Sequence, residues 1–312
     1  MKHITGFMLA TLMLVGFIGW LGQETAVAAQ PPHTIIGGSL PSPVGHSFIH
    51  IARPENTIAD LTLIDHPLTN NNPDAHLLVT SHWLREGDFG VFNNNEVGLF
   101  YSDAQGKWGV YNESTNPMPS GAAFNIFVAD SPTISVQHTS SPENINLNWT
   151  LIDDPDLNNQ PNLILFANHH FQSERHPHVT GVWYSGQWSI FNQDQMSMVA
   201  DRTFNIVAAS EQNNVFVHVA DADNINAYWT YIDHPLLNSN PEAIIFVSQI
   251  WNPFGAVEGV YNDNPITVWY DPDPEQWAIM NQSLADIPLD AKFSVMLPGQ
   301  LSHLYLPLIT YN

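Results

Sequence analysis

The 312-residue chain is 44% hydrophobic and 11% aromatic, enough for packed cores and too much for a disordered polymer. Thirty Asp and Glu against seven Lys and Arg give a formal charge of −23, which leaves no cationic footprint for nucleic acid or a bare anionic membrane. Cys is absent, and this excludes disulfides, thiolate metal sites and thiol nucleophiles.

In chain order, Lys2 and His3 precede an apolar run from Phe7 to Leu21, and "AVA" at 26–28 offers small residues for cleavage. This pattern predicts a signal peptide over 1–28 and a secreted, extracellular mature chain. No later segment approaches the ~20 apolar residues of a membrane span. Residues 29–45 read as a Pro/Gly-rich lead-in.

From there the chain repeats itself. "LIDHPLTNNNPDA" (63–75), "LIDDPDLNNQPNL" (151–163) and "YIDHPLLNSNPEA" (231–243) align on Asp65, Asp153 and Asp233. Fifteen residues before each Asp stands His50, His138 or His218, and nine before it Asn56, Asn144 or Asn224. Thr62, Thr150 and Thr230 lie three before. Trp108, Trp188 and Trp277 are followed four residues later by Asn112, Asn192 and Asn281, and sixteen later by Phe124, Phe204 and Phe293. Three tandem copies follow, over 46–130, 131–210 and 211–300, with 301–312 as an apolar tail or closing strand.

Within a copy, apolar residues alternate with period two and helical periodicity is absent. The third copy predicts strands over 215–220, 227–232, 243–251, 266–271, 276–281 and 292–297. Ser185-Gly186 supplies a two-residue hairpin turn in the second copy. The fold class is therefore all-β: three tandem copies of a small antiparallel β-sandwich or barrel of about six strands each. The stretch 124–138 reads as a hairpin linking the last strand of one copy to the first of the next.

Candidate sites come next. Asp65, Asp153 and Asp233 at strand ends, with Asn70, Asn158 and Asn238, read as turn braces in which the carboxylate accepts backbone amides. The rival reading is a calcium loop of alternating oxygen ligands. Trp108, Trp188 and Trp277 with Asn112, Asn192 and Asn281 read as core anchors, or as glycan platforms with polar neighbours. "FANHHFQSERHPHV" (166–179) occurs in one copy only and offers His169, His170, His176 and His178 to a transition metal. Those His residues replace Asn93, Asn95, Asn262 and Asn264 of the other copies, which points to a divergent hydrogen-bonding loop. No P-loop, nucleophile elbow or His-Glu-x-x-His is present, so no catalytic residue is assigned.

The unit best seen in "FVHVADADNINAYWTYIDHPLLNSNPEAIIFVSQIWNPFGAVEGVYNDNPITVWYD" resembles a domain-of-unknown-function family found in tandem in bacterial secreted proteins. The resemblance implies repetition and secretion, with no activity, cofactor or catalytic residue. Together these features predict a non-enzymatic extracellular repeat protein that binds a glycan or surface polymer weakly and multivalently. The alternatives are a structural cell-envelope spacer and a metal-dependent enzyme built on the His-rich loop.

Overall fold

Period-two patterning becomes strand throughout. The computed structural model describes residues 43–83, 90–130 and 133–300. The predicted signal peptide, most of the lead-in and the 301–312 tail lie outside the described residues. The first copy supplies β1 (Val44–Ile51), β2 (Thr57–Ile58), β3 (Leu61–Leu63), β4 (Leu77–His82), β5 (Val97–Ser102), β6 (Lys107–Asn112) and β7 (Ala123–Ala129). The second supplies β8 (Ile134–Thr139), β9 (Ile145–Asn146), β10 (Trp149–Leu151), β11 (Leu163–His170), β12 (Thr180–Tyr184), β13 (Trp188–Asn192) and β14 (Thr203–Ser210). The third supplies β15 (Val215–Val219), β16 (Ile225–Asn226), β17 (Trp229–Ile232), β18 (Phe246–Gln249), β19 (Ile266–Asp271), β20 (Gln276–Asn281) and β21 (Lys292–Met296). A short β22 (Gly299–Gln300) runs parallel to β1. The two predicted strands 266–271 and 276–281 are met residue for residue, and the added strand in each copy is only two residues long.

The seven strands of a copy divide between two sheets. The first, seventh and fourth pair antiparallel, as β1–β7–β4, β8–β14–β11 and β15–β21–β18. The other four form β2–β3–β6–β5, β9–β10–β13–β12 and β16–β17–β20–β19. This pairing corrects the hairpin expected over 124–138. Strand β7 turns back onto β1 of its own copy, matching His50 with Phe124, and β8 pairs with β14, matching His138 with Phe204. No sheet among the described residues closes into a barrel.

The copies then join edge to edge in a ring. Strand β5 of the first meets β11 of the second in parallel at Leu99 and His170. Strand β12 of the second meets the third through a parallel bridge between Val182 and Ile250. Strand β19 of the third returns to β4 of the first at Val268 and His82. Each join uses the residue seventeen after the repeated Asp, so one rule is applied three times.

Alternation along the joining strands feeds two cores at once. Leu77 and Val79 enter the first copy's core with Trp108 and Phe124, while Leu78 points to a central cluster. Leu163 and Leu165 likewise face Trp188, and Ile164 and Phe166 face the centre. Phe127, Phe246 and Met296 join that cluster, which draws on all three copies. A stretch of strand covered by apolar cores on both faces is apolar at successive positions, and this is why "LLV", "LILF" and "AIIFV" lack alternation.

Two sets of polar contacts lock the ring. The backbone N–H of Val247 donates to Thr80 Oγ1 (3.0 Å), that of Ala167 to Ser248 Oγ (3.2 Å) and that of Val79 to Asn168 Oδ1 (2.9 Å). Each acceptor stands fifteen residues after its Asp, and each bond crosses to another copy. In the second set, Asn125 Nδ2 donates to the Ile245 carbonyl (2.8 Å) and Asn205 Nδ2 to the Leu77 carbonyl (3.1 Å). The third copy has Ser294 at that position, fully buried, with its hydroxyl unpaired. Ser is too short to span the seam. Asn125→Ser should therefore cost about 1–2 kcal/mol, and Ser294→Asn should restore a comparable amount by completing the set. Denaturant melts of both variants read the two changes, and a destabilised Ser294→Asn would mean that the site lacks room for the amide.

Candidate functional site: the seams between copies

The positions with invariant offsets are committed to the fold. Trp108, Trp188 and Trp277 are 0% exposed, and their indole N–H groups donate to the carbonyls of Asn72 (2.8 Å), Gln160 (3.0 Å) and Asn240 (2.9 Å). Asn112, Asn192 and Asn281 are equally buried, and each amide donates to the carbonyl four residues on, at Asn116, Met196 and Ala285. No ring face remains open to a sugar. The glycan-platform reading of these six residues is overturned by burial, and the core-anchor reading stands.

The Asp motif is a turn, by a different bond from the one expected. Asp65, Asp153 and Asp233 each accept the side-chain amide of the Asn five residues later, Asn70, Asn158 or Asn238, at 2.7 Å. The expected backbone donors to these carboxylates are replaced by that amide. The following residue takes a left-handed conformation each time: Asn71 (φ 55°), Asn159 (φ 60°) and Ser239 (φ 53°). The Asn70 bond first, and then Lys107 at 2.9 Å, hold the Asp65 carboxyl below its ordinary range. The change from His66 and His234 to Asp154 has a partner. His66 stacks on Phe48 at 3.8 Å and His234 on Phe216 at 4.1 Å, whereas the second copy has Val136 at the stacking position.

The His-rich loop belongs to a seam. In the first and third copies, Asn93 and Asn262 donate to Asn112 and Asn281 (2.8 and 2.9 Å), and Asn95 and Asn264 cap that bond in turn. His176 and His178 take those places in the second copy, and His178 Nδ1 pairs with Asp194 at 2.6 Å. The backbone amides of these positions also reach across. Asn93 N–H donates to Gln282 (2.9 Å), Asn262 N–H to Gln193 (3.1 Å) and His176 N–H to Glu113 (2.8 Å). Glu113 further accepts from the Tyr111 hydroxyl and lies 2.5 Å from His169 Nδ1, all nearly sealed from solvent. Burial first, then the Glu113 charge, raises the Tyr111 phenol far above its ordinary range. His170 points the other way, to Gln137 (3.0 Å) and the face of Trp108 (4.9 Å). The four His residues therefore do not form one ligand set, and no group of three or more His, Asp or Glu among the described residues is disposed to hold a metal.

What each seam exposes is aromatic. Between the second and third copies, Trp149, Trp183, Trp251, Tyr261 and Phe191 line a cavity of about 130 Å³ with Asn148. Successive rings stand 5.5 to 6.3 Å apart, and the first two meetings are nearly perpendicular, at 77° and 86°. Between the third and first copies, Trp229, Trp269, Trp83 and Phe92 form the corresponding chain, at 5.7 to 6.0 Å. The first seam carries Leu61, Phe100, Phe171 and Tyr111 at these positions, and the Arg175 guanidinium covers Tyr111 at 4.9 Å. These seam aromatics were missed in the sequence because Leu61, Phe100 and Phe171 break the Trp pattern. By contrast, the gap between the three joining strands, lined by Thr80, Asn168 and Ser248, is only about 50 Å³ and suits water rather than an organic ligand.

A family model described as a domain of unknown function (DUF7452) matches residues 39–105, 98–208 and 181–297, three overlapping stretches in tandem. No curated protein and no solved structure matches the chain.

The repeated His supports the fold and not a site. His50, His138 and His218 place Nε2 2.8 Å from Thr62, Thr150 and Thr230, and each Thr hydroxyl donates to Asn56, Asn144 or Asn224. The Thr oxygen must then accept, so Nε2 carries a proton, and burial favours the neutral form of the ring. Burial moves all three from the usual 6.5 down to about 4. The unfolded chain takes up these protons below pH 6.5 and the folded chain does not, so this stability is complete above 6.5 and is lost as pH falls towards 4. Each imidazole contributes on the order of 3 kcal/mol at neutral pH by this linkage. Melting temperature should drop steeply over that window, and His138→Gln should flatten the drop by one proton. An unchanged slope in His138→Gln would refute the relay.

Proposed function

The chain belongs to the DUF7452 family of domains of unknown function, and on that premise we propose that it is a non-enzymatic extracellular repeat protein that binds a surface polymer, such as a glycan, through its seams. The observation that carries this reading is the aromatic cleft between the second and third copies, with a second aromatic row between the third and first. Six of the ten Trp residues stand in these two rows, half-buried, whereas the three core Trp residues are sealed. Half-exposed aromatic walls give contact area without charge, which suits weak binding of a polymer unit. Two sites on one rigid ring engage a repeating polymer together and raise avidity without strong single-site affinity.

Each copy is read here as a small two-sheet sandwich, supported by its own cluster of buried residues between its two sheets. The predicted signal peptide and the acidity fit an exported protein kept soluble by its charge. The enzyme alternative loses support because Glu113, His169 and His176 are buried under the first seam, where a substrate has no access. The spacer alternative predicts no retention on any polymer.

The reading is tested by retention of the mature chain on a panel of immobilised surface polysaccharides. Trp183→Ala and Trp269→Ala, each in one row, should weaken retention several-fold and together abolish it. Trp188→Ala should instead cost about 3–5 kcal/mol of stability, as a buried aromatic truncation does. Retention unaffected by the paired seam variants, or absent from every polymer, would refute the proposal.

A further inference from the structure

The three seams are built alike, and the differences between them point to a ligand chemistry. At the first seam, Arg175 occupies the position that Tyr261 and Phe92 hold at the others. Its guanidinium lies 4.9 Å from the centre of the Tyr111 ring and is tied down by Asp60 at 2.5 Å. The chain thus places a cation of its own over the seam aromatics. At the second seam the ring in the place of Tyr111 is Phe191, and the position of Arg175 is the 41% exposed Tyr261. The cavity stays open there, walled by Trp149, Trp183, Trp251, Tyr261 and Phe191.

Those walls are mostly aromatic ring surface. The polar groups there are few: Asn148, whose amide already donates to the Asn192 carbonyl at 3.1 Å, and the hydroxyl of the exposed Tyr261. The indole nitrogens of Trp183 and Trp251 are buried and have no partner within the protein. Crossed aromatic rings present their negative faces from several directions, the arrangement that holds a cation with no hydrogen bonds to make. The charge of the third copy matches. Between Arg202 and Lys292 the chain has no Lys or Arg and twelve Asp or Glu, with Glu258 and Asp263 on either side of Tyr261 in the sequence. A copy of that net charge draws cations towards its surface.

We infer that the cleft between the second and third copies accepts a quaternary ammonium group, such as choline, carried by the surface polymer. This rests on the reading of the seams as polymer-binding sites and names the moiety that one of them recognises. A methylated ammonium brings charge and apolar methyl groups together and asks for no hydrogen-bond acceptor, which suits a cavity walled mainly by rings. The size also agrees, since about 130 Å³ takes a compact headgroup and not an extended chain.

The test is a titration of the mature chain with choline, followed by Trp fluorescence at constant ionic strength, beside the neutral isostere 3,3-dimethyl-1-butanol. Choline should bind at least fivefold more tightly than the isostere, and Tyr261→Ala, at an exposed position, should remove most of that difference. Near-ultraviolet circular dichroism confirms that the variant is folded. Equal binding of the two probes would overturn the inference, as would choline binding that Tyr261→Ala leaves intact. Retention on an unsubstituted polysaccharide that choline fails to compete would sink the inference and leave the polymer reading standing. Absence of both choline binding and polymer retention would sink both. Choline-competed retention on choline-bearing polymer, and none on phosphatidylcholine vesicles, supports the stated source; the reverse overturns it.

Discussion

Closure of the ring depends first on the N–H groups of Val79, Ala167 and Val247 finding acceptors where three strands converge. These groups lie among buried strands, away from water, where an unmatched donor is costly. Thr80, Asn168 and Ser248 differ in size and shape and share only a side-chain oxygen that can accept. Each receives the amide of another copy, so the three bonds form a closed cycle. An open row of three copies would leave one of these donors and two sheet edges unpaired. Closure satisfies both, and it removes the exposed parallel edges that invite association with other chains.

A second cycle sets the individuality of the copies. Gln193, Gln282 and Glu113 accept the amides of Asn262, Asn93 and His176 across the seams. The far end of Gln193 donates to Gln249 at 3.2 Å, while the equivalent end of Gln282 finds no partner. At the first seam the same place holds a carboxylate, and the residue opposite is His169. A buried carboxylate needs several donors, and Tyr111, His169 and the His176 amide provide them. The single-copy His cluster is thus the counterpart of a single-copy Glu five residues after Trp108. Neither is understandable alone.

Much of the fold was legible because its devices are local. The turn at Asp65, the relay of His50, Thr62 and Asn56, and the brace at Asn112 each close within twelve residues, so their spacing survives in all three copies. The strand limits 266–271 and 276–281 follow from period-two patterning bounded by Asn, Asp and Pro. The ring was not legible. Its contacts join residues such as Asn168 and Val79 that lie 89 positions apart, and only an acceptor is required at each place, so Thr, Asn and Ser leave no common letter. The hairpin expected over 124–138 failed for a related reason. Short separation favoured it, but Phe124 and Phe204 are needed beside the core Trp of their own copies, and this turns β7 and β14 back onto β1 and β8.

The division of labour among the tryptophans follows from that contrast between local and shared positions. A Trp that anchors a core must have its N–H satisfied and its faces covered, so Trp108, Trp188 and Trp277 are fixed in number and place. A seam position has to fill only the space between two edges, and the three seams fill it differently: with Leu61, Phe100 and a capping Arg175, with Trp149, Trp183 and Tyr261, or with Trp229, Trp269 and Phe92. Ring closure tolerates all three solutions because its own bonds are made elsewhere, at Thr80, Asn168 and Ser248. The seams are therefore where one copy can diverge from another without opening the ring. A scaffold fixed by buried repeats and open to change at its joints puts variation in surface chemistry at the joints, and the capped first seam beside the uncapped second is that variation already present within one chain.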